Sequence, residues 1–232
     1  LPHQGKHPRS QRIQITNTMT IIAIDGPAAS GKSSVAKRLS RRLGFSYVNS
    51  GSMYRAVTWE LLRQGIDSSH SDSVKTSVES MELGCGFNPE GESFIRINAQ
   101  IPDAELKESS VNNSVSTVSA IPAVRHLIVA RLRALVNEHD VVMEGRDIGS
   151  AVFPDAPHKF YLDATPEIRR LRRAAEGLTD SIDLRDKQDS SRAEAPLQIA
   201  EGACVVDTSH LTLDGVVEKI FQLLTDAGLT AR

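Results

Sequence analysis

Cysteine is nearly absent from the 232 residues: Cys85 and Cys204 lie far apart and outside any C-x-x-C pair. That argues against a disulfide scaffold and a clustered thiolate metal site, and it fits a reducing cytosol with both thiols buried. Excess charge of one sign is missing too. Lys and Arg number 27 against 29 Asp and Glu, a net of −2. This disfavours a non-specific grip on nucleic acid, while local arginine clusters remain free to hold a small phosphate. No apolar run approaches the roughly 20 residues of a membrane-spanning helix, and the longest, Ile21–Ile24 and Val141–Met143, are strand-sized. With 40% apolar and 24% charged residues, the chain reads as one cytoplasmic globular domain with no membrane or nucleic-acid partner.

Leu1–Thr18 is polar and lacks the apolar stretch of a secretory signal, so it reads as an N-terminal extension or cloning remnant ahead of Met19. Thr20–Asp25 is then a continuously apolar run ending at an acid, as in a strand buried on both faces of a parallel sheet. After a glycine loop, Val35, Ala36, Leu39 and Leu43 recur at helical spacing, with Gly44 as the stop. A second helix is predicted from about Ser50 to Gln64. Cys85–Ile101, with turn residues between alternating apolar positions, predicts a small antiparallel insert appended to the core. Pro122 opens an amphipathic helix ending near Asn137, and Val141–Met143, Phe160–Leu162 and Cys204–Asp207 are further strands. Thr165 and Pro166 open an arginine-rich helix, and Val216–Leu224 forms the closing helix. Strands alternating with helices imply an α/β fold with a parallel sheet.

Gly26-Pro27-Ala28-Ala29-Ser30-Gly31-Lys32-Ser33 satisfies G-x-x-x-x-G-K-[ST] and sits between a buried strand and a helix, where this phosphate-binding loop must sit. Backbone N–H groups and the helix N-terminus attract phosphate, Lys32 reaches the β and γ phosphates, and the Ser33 hydroxyl can hold Mg²⁺. No Asn-Lys-x-Asp tetrad or Asp-x-x-Gly segment is present, which disfavours a GTPase switch. A small-molecule kinase needs a second anionic pocket and a cover that excludes water. Arg55 follows the loop helix, and Arg146 with Asp147 stands directly after the Val141 strand, in the crevice where open parallel sheets bind ligands. Between Arg169 and Arg192 lie seven basic residues and five acids. Gly177 and the polar Thr179–Asp183 stretch interrupt this helical region, which suits a lid that brings arginines onto the transferring group.

From Met19 to its end the chain resembles the bacterial cytidylate kinases, ATP-dependent nucleoside monophosphate kinases. The matching segments are Ile24–Ser33, Ser50–Arg55, Val124-Arg125, Gly145–Gly149, Val152–Ala156, Arg185-Asp186 with Asp189 and Arg192, and Ala195–Leu197. The resemblance implies a three-layer P-loop NTPase fold over residues 19–232, with a CMP-binding insert at about 66–110 and a mobile lid at about 165–192. It implies that Gly26 to Ser34 bind ATP, with Lys32, Arg146, Arg185 and Arg192 catalytic. Arg55, Arg146, Arg185 and Arg192 would hold the acceptor phosphate, Asp189 the ribose, and Ser116, Arg125 and Asp147 the cytosine, with Ser50 and Tyr54 framing the site. Glu144 and Asn49 stand where members often carry Asp. Gln188 and Ser190 sit in a lid that is more arginine-rich in some relatives, which leaves Arg169 or Arg173 as candidate helpers. The implied reaction is transfer of the ATP γ-phosphoryl group, with Mg²⁺, to CMP or dCMP by a monomer that leaves no apolar stripe exposed. Alternatives are a P-loop kinase for UMP or a shikimate-like acid, and a non-catalytic nucleotide-binding regulator.

Overall fold

Strands buried on both faces read as unbroken apolar runs because neither side meets water, and this is how the central sheet is built. The computed structural model describes residues 19–177 and 181–231; the extension at 1–18, and Thr179 and Asp180 of the interrupting stretch, lie outside the described residues. In chain order the elements are β1 (Ile21–Asp25), α1 (Lys32–Leu43), β2 (Ser46–Asn49), α2 (Ser50–Arg63) and α3 (Ser71–Ser80). The hairpin β3 (Leu83–Phe87) and β4 (Ser93–Ile97) follows, then α4 (Ser109–Ser119), α5 (Pro122–Leu135), β5 (Val141–Gly145) and β6 (His158–Asp163). The chain closes through α6 (Pro166–Ala175), α7 (Ile182–Ser190), β7 (Cys204–Asp207) and α8 (Leu213–Asp226).

Five strands form a wholly parallel sheet in the order β2-β5-β1-β6-β7. Side chains alternate between its faces. Ile22, Ile24, Phe160 and Leu162 join Val35 and Leu39 of α1 and Val216 and Ile220 of α8 in one core. Ala23, Val48, Val141 and Met143 join Met53 and Val57 of α2 and Ile128 and Leu132 of α5 in the other. Helix, sheet and helix make the three layers expected of the fold. The register aligns Asp25 with Gly145 and Asn49 with Glu144, so β1, β2 and β5 end together along one edge of the sheet. The chain leaves β1 towards one side for β2 and later crosses to the other for β6, which places a crevice at these strand ends.

Several local features depart from the sequence reading. The hairpin was expected to stand outside the core, yet Leu83, Ile95 and Ile97 are buried in the α2/α5 core. Strand alternation explains this, because β4 turns Ile95 and Ile97 inward and Phe94 and Arg96 outward. The buried Glu60 carboxylate of α2 accepts from Arg63, Gln64 and Asn98, fastening the hairpin end to the helix. β4 stops at Ile97, the turn residues Asn98 and Ala99 take φ of 45° and 67°, and Ile101 is exposed. β2, α3 and α4 are elements that the sequence reading did not place. Cys204 is exposed and Cys85 partly so, against the expectation of buried thiols, because β7 is an edge strand with only Val206 facing the interior. Leu171, Leu184, Ile199 and Val205 are also exposed, so apolar surface does remain around α6, α7 and the β7 edge. Among the described residues no single helix is long and apolar enough to cross a membrane. The α4–α5 pair passes on length and composition only, is bent by 95°, and buries Val115, Val118, Val124 and Ile128 in the core.

Gly26 shows how tightly the loop after β1 is set. Its φ is 149°, and a Cβ there would stand 2.0 Å from the Leu162 carbonyl oxygen of β6. Gly26→Ala must therefore push β1 and β6 apart, and it is expected to destabilise the fold by about 3 kcal/mol or more. Urea unfolding checks this, and a loss below about 1 kcal/mol would contradict the close approach.

Candidate active site

The strand ends open into a cleft of about 660 Å³ lined by the phosphate-binding loop, the start of α2, α4, the end of β5, and α7. At its donor end Ala28, Ala29, Gly31, Lys32, Ser33 and Ser34 form the wall. Gly26, Pro27 and Ser30 stand behind it. The Lys32 ammonium is folded back onto the loop, donating to the Pro27 carbonyl at 2.5 Å and to Ser30 Oγ at 3.4 Å. Burial, followed by the nearby Arg146 cation, lowers its pKa to about 7. Ala29 holds a φ of 58°, a left-handed conformation that a non-glycine residue adopts only when its neighbours enforce it. The Thr208 hydroxyl, which accepts from Arg172 at 3.0 Å, lies 3.0 Å from the Ser30 carbonyl.

The middle of the cleft collects arginines. α2 starts with Asn49 as its cap, Asn49 Oδ1 accepting from the Ser52 N–H at 3.1 Å. One turn later Arg55 lies across Gly51, whose missing Cβ would stand 2.9 Å from the guanidinium. Burial and then the charges of Arg185 and Arg146 lower the Arg55 pKa to about 10. Arg146 donates through Nε to Asp189 at 2.8 Å and through Nη1 to the Gly26 carbonyl at 3.1 Å. Burial opposes its charge most strongly, yet the carboxylates of Asp189, Asp186 and Glu144 together outweigh it and raise its pKa. Asp189 shows the mirror effect: burial would raise its pKa, but Arg146 and Arg192 hold it below the usual carboxylate range. Arg192 donates through Nε to the Asp189 carbonyl at 3.1 Å. Burial wins over its acidic neighbours and lowers its pKa, and its buried Nη2, 3.6 Å from Asp189 Oδ1, has no hydrogen-bond partner among the described residues. Arg185 and Arg173 complete the wall.

At the far end Arg125 and Asp147, both almost fully buried, form an ion pair, and Arg125 also donates to the Ser119 carbonyl at 3.4 Å. Ser116 and Tyr54 flank them, with the Arg125 guanidinium 5.8 Å from the centre of the Tyr54 ring. The buried Tyr54 hydroxyl has no hydrogen-bond partner among the described residues, and burial pushes its pKa up. Two buried donors without partners, in a cleft already rich in donors, are groups a polar ligand would satisfy. Ser50 donates to the Glu144 carbonyl at 2.8 Å, and the Glu144 carboxylate accepts from Tyr47 at 3.1 Å.

The predicted site residues thus converge, with two qualifications. Arg125 stands behind Asp147 and not on the cleft wall, and of the two candidate helpers only Arg173 reaches the cleft. Arg169 turns instead towards the loop backbone, donating to the Ala28 and Ala164 carbonyls. Sequence reasoning missed Asp25, whose oxygens accept from the Ile148 and Gly149 N–H groups at 2.8 and 2.7 Å and so anchor the turn carrying Arg146 and Asp147. Burial pushes its pKa up to about 6, against those two hydrogen bonds. The acid ending the first apolar run was the available signal. Asn112, Ser119 and Lys107 also line the cleft; they come from segments with no motif.

A sequence profile of the family described as cytidylate kinase matches residues 22–226. A cytidylate kinase of Rhodococcus opacus is 38% identical over 224 residues, covering 91% of this chain and 97% of its own. One of Mycobacterium avium is 39% identical over 224 residues, with coverages of 91% and 98%. One of Corynebacterium efficiens is 40% identical over 215 residues, with coverages of 88% and 93%.

Lys32 yields a test of the donor end. A phosphate placed beside an ammonium depressed to about 7 favours the charged form and raises that value. Binding of a nucleoside triphosphate with its metal at about pH 8 should therefore take up part of a proton, and affinity should fall as pH rises from about 7 to 9. Calorimetry in buffers of different ionisation enthalpy measures the uptake. Proton release, or an affinity indifferent to pH, would contradict the placement of Lys32.

Proposed function

The chain belongs to the cytidylate kinase family, and we propose that this cleft is where the family's reaction runs, the γ-phosphoryl group of ATP passing to CMP or dCMP to give ADP and CDP or dCDP. The observation that carries the assignment is the order of groups along the cleft: phosphate-binding loop, arginine cluster, then the buried Arg125–Asp147 pair. A triphosphate, a monophosphate and a base would occupy those three stations in that order.

At the donor station the loop from Gly26 to Ser34 receives the ATP phosphates. Lys32 gives up its internal carbonyl contact to meet them. Among the described residues no group of three or more His, Cys, Asp and Glu is placed to hold a metal. Ser33 and Glu144 are both among the residues that line the cleft. That sparse set of hard oxygens fits Mg²⁺, which keeps several waters and relies on substrate phosphates. Ser33 would hold the ion with ATP, and the ion, when bound, neutralises charge on the phosphates.

At the middle station Arg55, Arg146, Arg185 and Arg192 bind and orient the acceptor phosphate, and Asp189 is close enough to them to meet the ribose. Transfer of a phosphoryl group to an oxygen that is already ionised needs alignment and charge stabilisation and no strong general base. Lys32, Arg146, Arg185 and Arg192 supply the positive charge on either side of the transferring group. α6 and α7, over about 165–192, form the lid that keeps water away, and Asp103, Leu106 and Lys107 of the insert at about 66–110 border the monophosphate side. At the last station we assign Asp147 to the cytosine amino group and Arg125 and Ser116 to its O2 and N3 acceptors, Arg125 turning out from behind Asp147 to reach them. Ser50 and Tyr54 frame this end.

A coupled assay of ADP release with Mg²⁺-ATP and CMP, dCMP, UMP, AMP or shikimate tests the reading. The wild type should turn over CMP and dCMP, and Asp147→Ala should cut its preference for CMP over UMP by about 10- to 100-fold. Turnover of AMP or UMP alone would overturn the base assignment. Turnover of none would overturn the site altogether.

A further inference from the structure

α7 carries two rows of side chains with different partners. Arg185 and Asp189, with Arg192 just beyond the helix, turn into the cleft. Asp186 turns the other way, onto the phosphate-binding loop. One of its oxygens accepts from the Ala28 N–H at 3.1 Å, and the other pairs with Arg169 Nη1, which donates in turn to the Ala28 carbonyl at 3.2 Å. The N–H and the C=O of one loop residue are thus both held, one by α7 and the other by α6. Arg169 is fixed from behind by the Ala164 carbonyl at 3.1 Å. The residue gripped immediately precedes Ala29, the non-glycine residue at φ 58°. Such strain persists only where the surroundings over-determine it. Neither Asp186 nor Arg169 lines the cleft.

We propose that Asp186 and Arg169 are a positioning pair: they lock α7 in register with Ala28 of the phosphate-binding loop, so that the arginines for the acceptor phosphate stand at a fixed distance from the donor phosphates. Arg146, between the Gly26 carbonyl and Asp189, already ties α7 to the loop at one point, and the Asp186–Arg169 pair at Ala28 adds the second point that fixes its register. A misplacement of about 1 Å costs on the order of 10²-fold in rate. This deepens the proposed function and rests on its assignment of Arg185 and Arg192 to the acceptor phosphate.

The opposing expectation is purely electrostatic. Asp186 is an anion beside a phosphate site, and its charge is felt by Lys32 and Arg146. Were that its whole effect, removing the charge would tighten ATP binding and leave turnover intact or improved. As a positioning residue, Asp186→Asn in the full chain should lower kcat about 30-fold and raise the CMP KM a few-fold, while ATP binding without CMP stays within about twofold of wild type.

A residue acting through Arg185 should also matter little once Arg185 is gone. In an Arg185→Ala background Asp186→Asn should cost less than about threefold more, whereas an independent structural contribution would multiply in full. Wild-type kcat in Asp186→Asn, or an undiminished factor in the Arg185→Ala background, overturns the inference. Should Asp186→Asn lose its cooperative unfolding transition, Arg169→Lys replaces it, keeping the cation but not the reach to both Ala28 and Asp186; the same kcat loss and non-additivity are expected. An active wild type with an indifferent Asp186→Asn rejects this pair alone, while a wild type inactive on CMP rejects the proposed function and the pair with it.

Discussion

Gathering six cationic side chains wholly or partly withdrawn from water around one cleft, with the exposed Lys107 as a seventh at its border, is the constraint on which the rest of the structure depends. Lys32, Arg55, Arg146, Arg173, Arg185 and Arg192 all line it. Removing such charges from water without compensation costs several kcal/mol per ion. The protein meets part of that demand itself: Asp189 stands between Arg146 and Arg192, and Asp147 takes Arg125. The remainder shows as depressed pKa values, about 7 for Lys32 and about 10 for Arg55, and as an Arg192 nitrogen without a hydrogen-bond acceptor among the described residues. A cleft in that condition is one that the phosphates of the proposed substrates would complete.

The fold supplies the means of bringing these groups together. Parallel pairing ends β1, β2 and β5 on one edge, so that Asp25, Asn49 and Glu144 to Asp147 meet although more than a hundred residues separate the first from the last. Each strand end then hands over to a turn that is held. Gly26 is pressed against Leu162, Asp25 grips the Ile148 and Gly149 amides, and Asn49 caps α2 beneath Arg55. Rigid elements carry the donor and base stations, while the arginines contributed by α7 join through side-chain ion pairs. This division suits an enzyme that must bind two anions and exclude water.

Much of this was legible in the sequence wherever the determinant is local. The phosphate-binding loop needs only a buried strand, correctly spaced glycines and an amphipathic helix, all contiguous between Ile21 and Leu43. Arg146 and Asp147 were found because they directly follow an apolar run. What stayed hidden depends on tertiary contact. α4 is built from Ser, Asn, Thr and Val, poor helix formers in isolation, and exists because Val111, Val115 and Val118 pack inward at helical spacing. β2 has two apolar residues within four, too short a pattern to register before its pairing with β5 is known. The exposure of Cys204 follows from the position of β7 at the sheet edge, which no window of sequence reveals. Asp186 and Arg169 look like members of a solvated charged helix until Ala28 is placed between them.

If the cleft is a cation cluster awaiting phosphate, then a ligand's phosphate should matter more to the stability of the protein than its base. The most direct measurement compares thermal unfolding midpoints with CMP and with cytidine at the same concentration. The account predicts that CMP raises the midpoint by about 5 °C near saturation while cytidine moves it by about 1 °C or less. Equal shifts from the two ligands, or no shift from CMP, would contradict it.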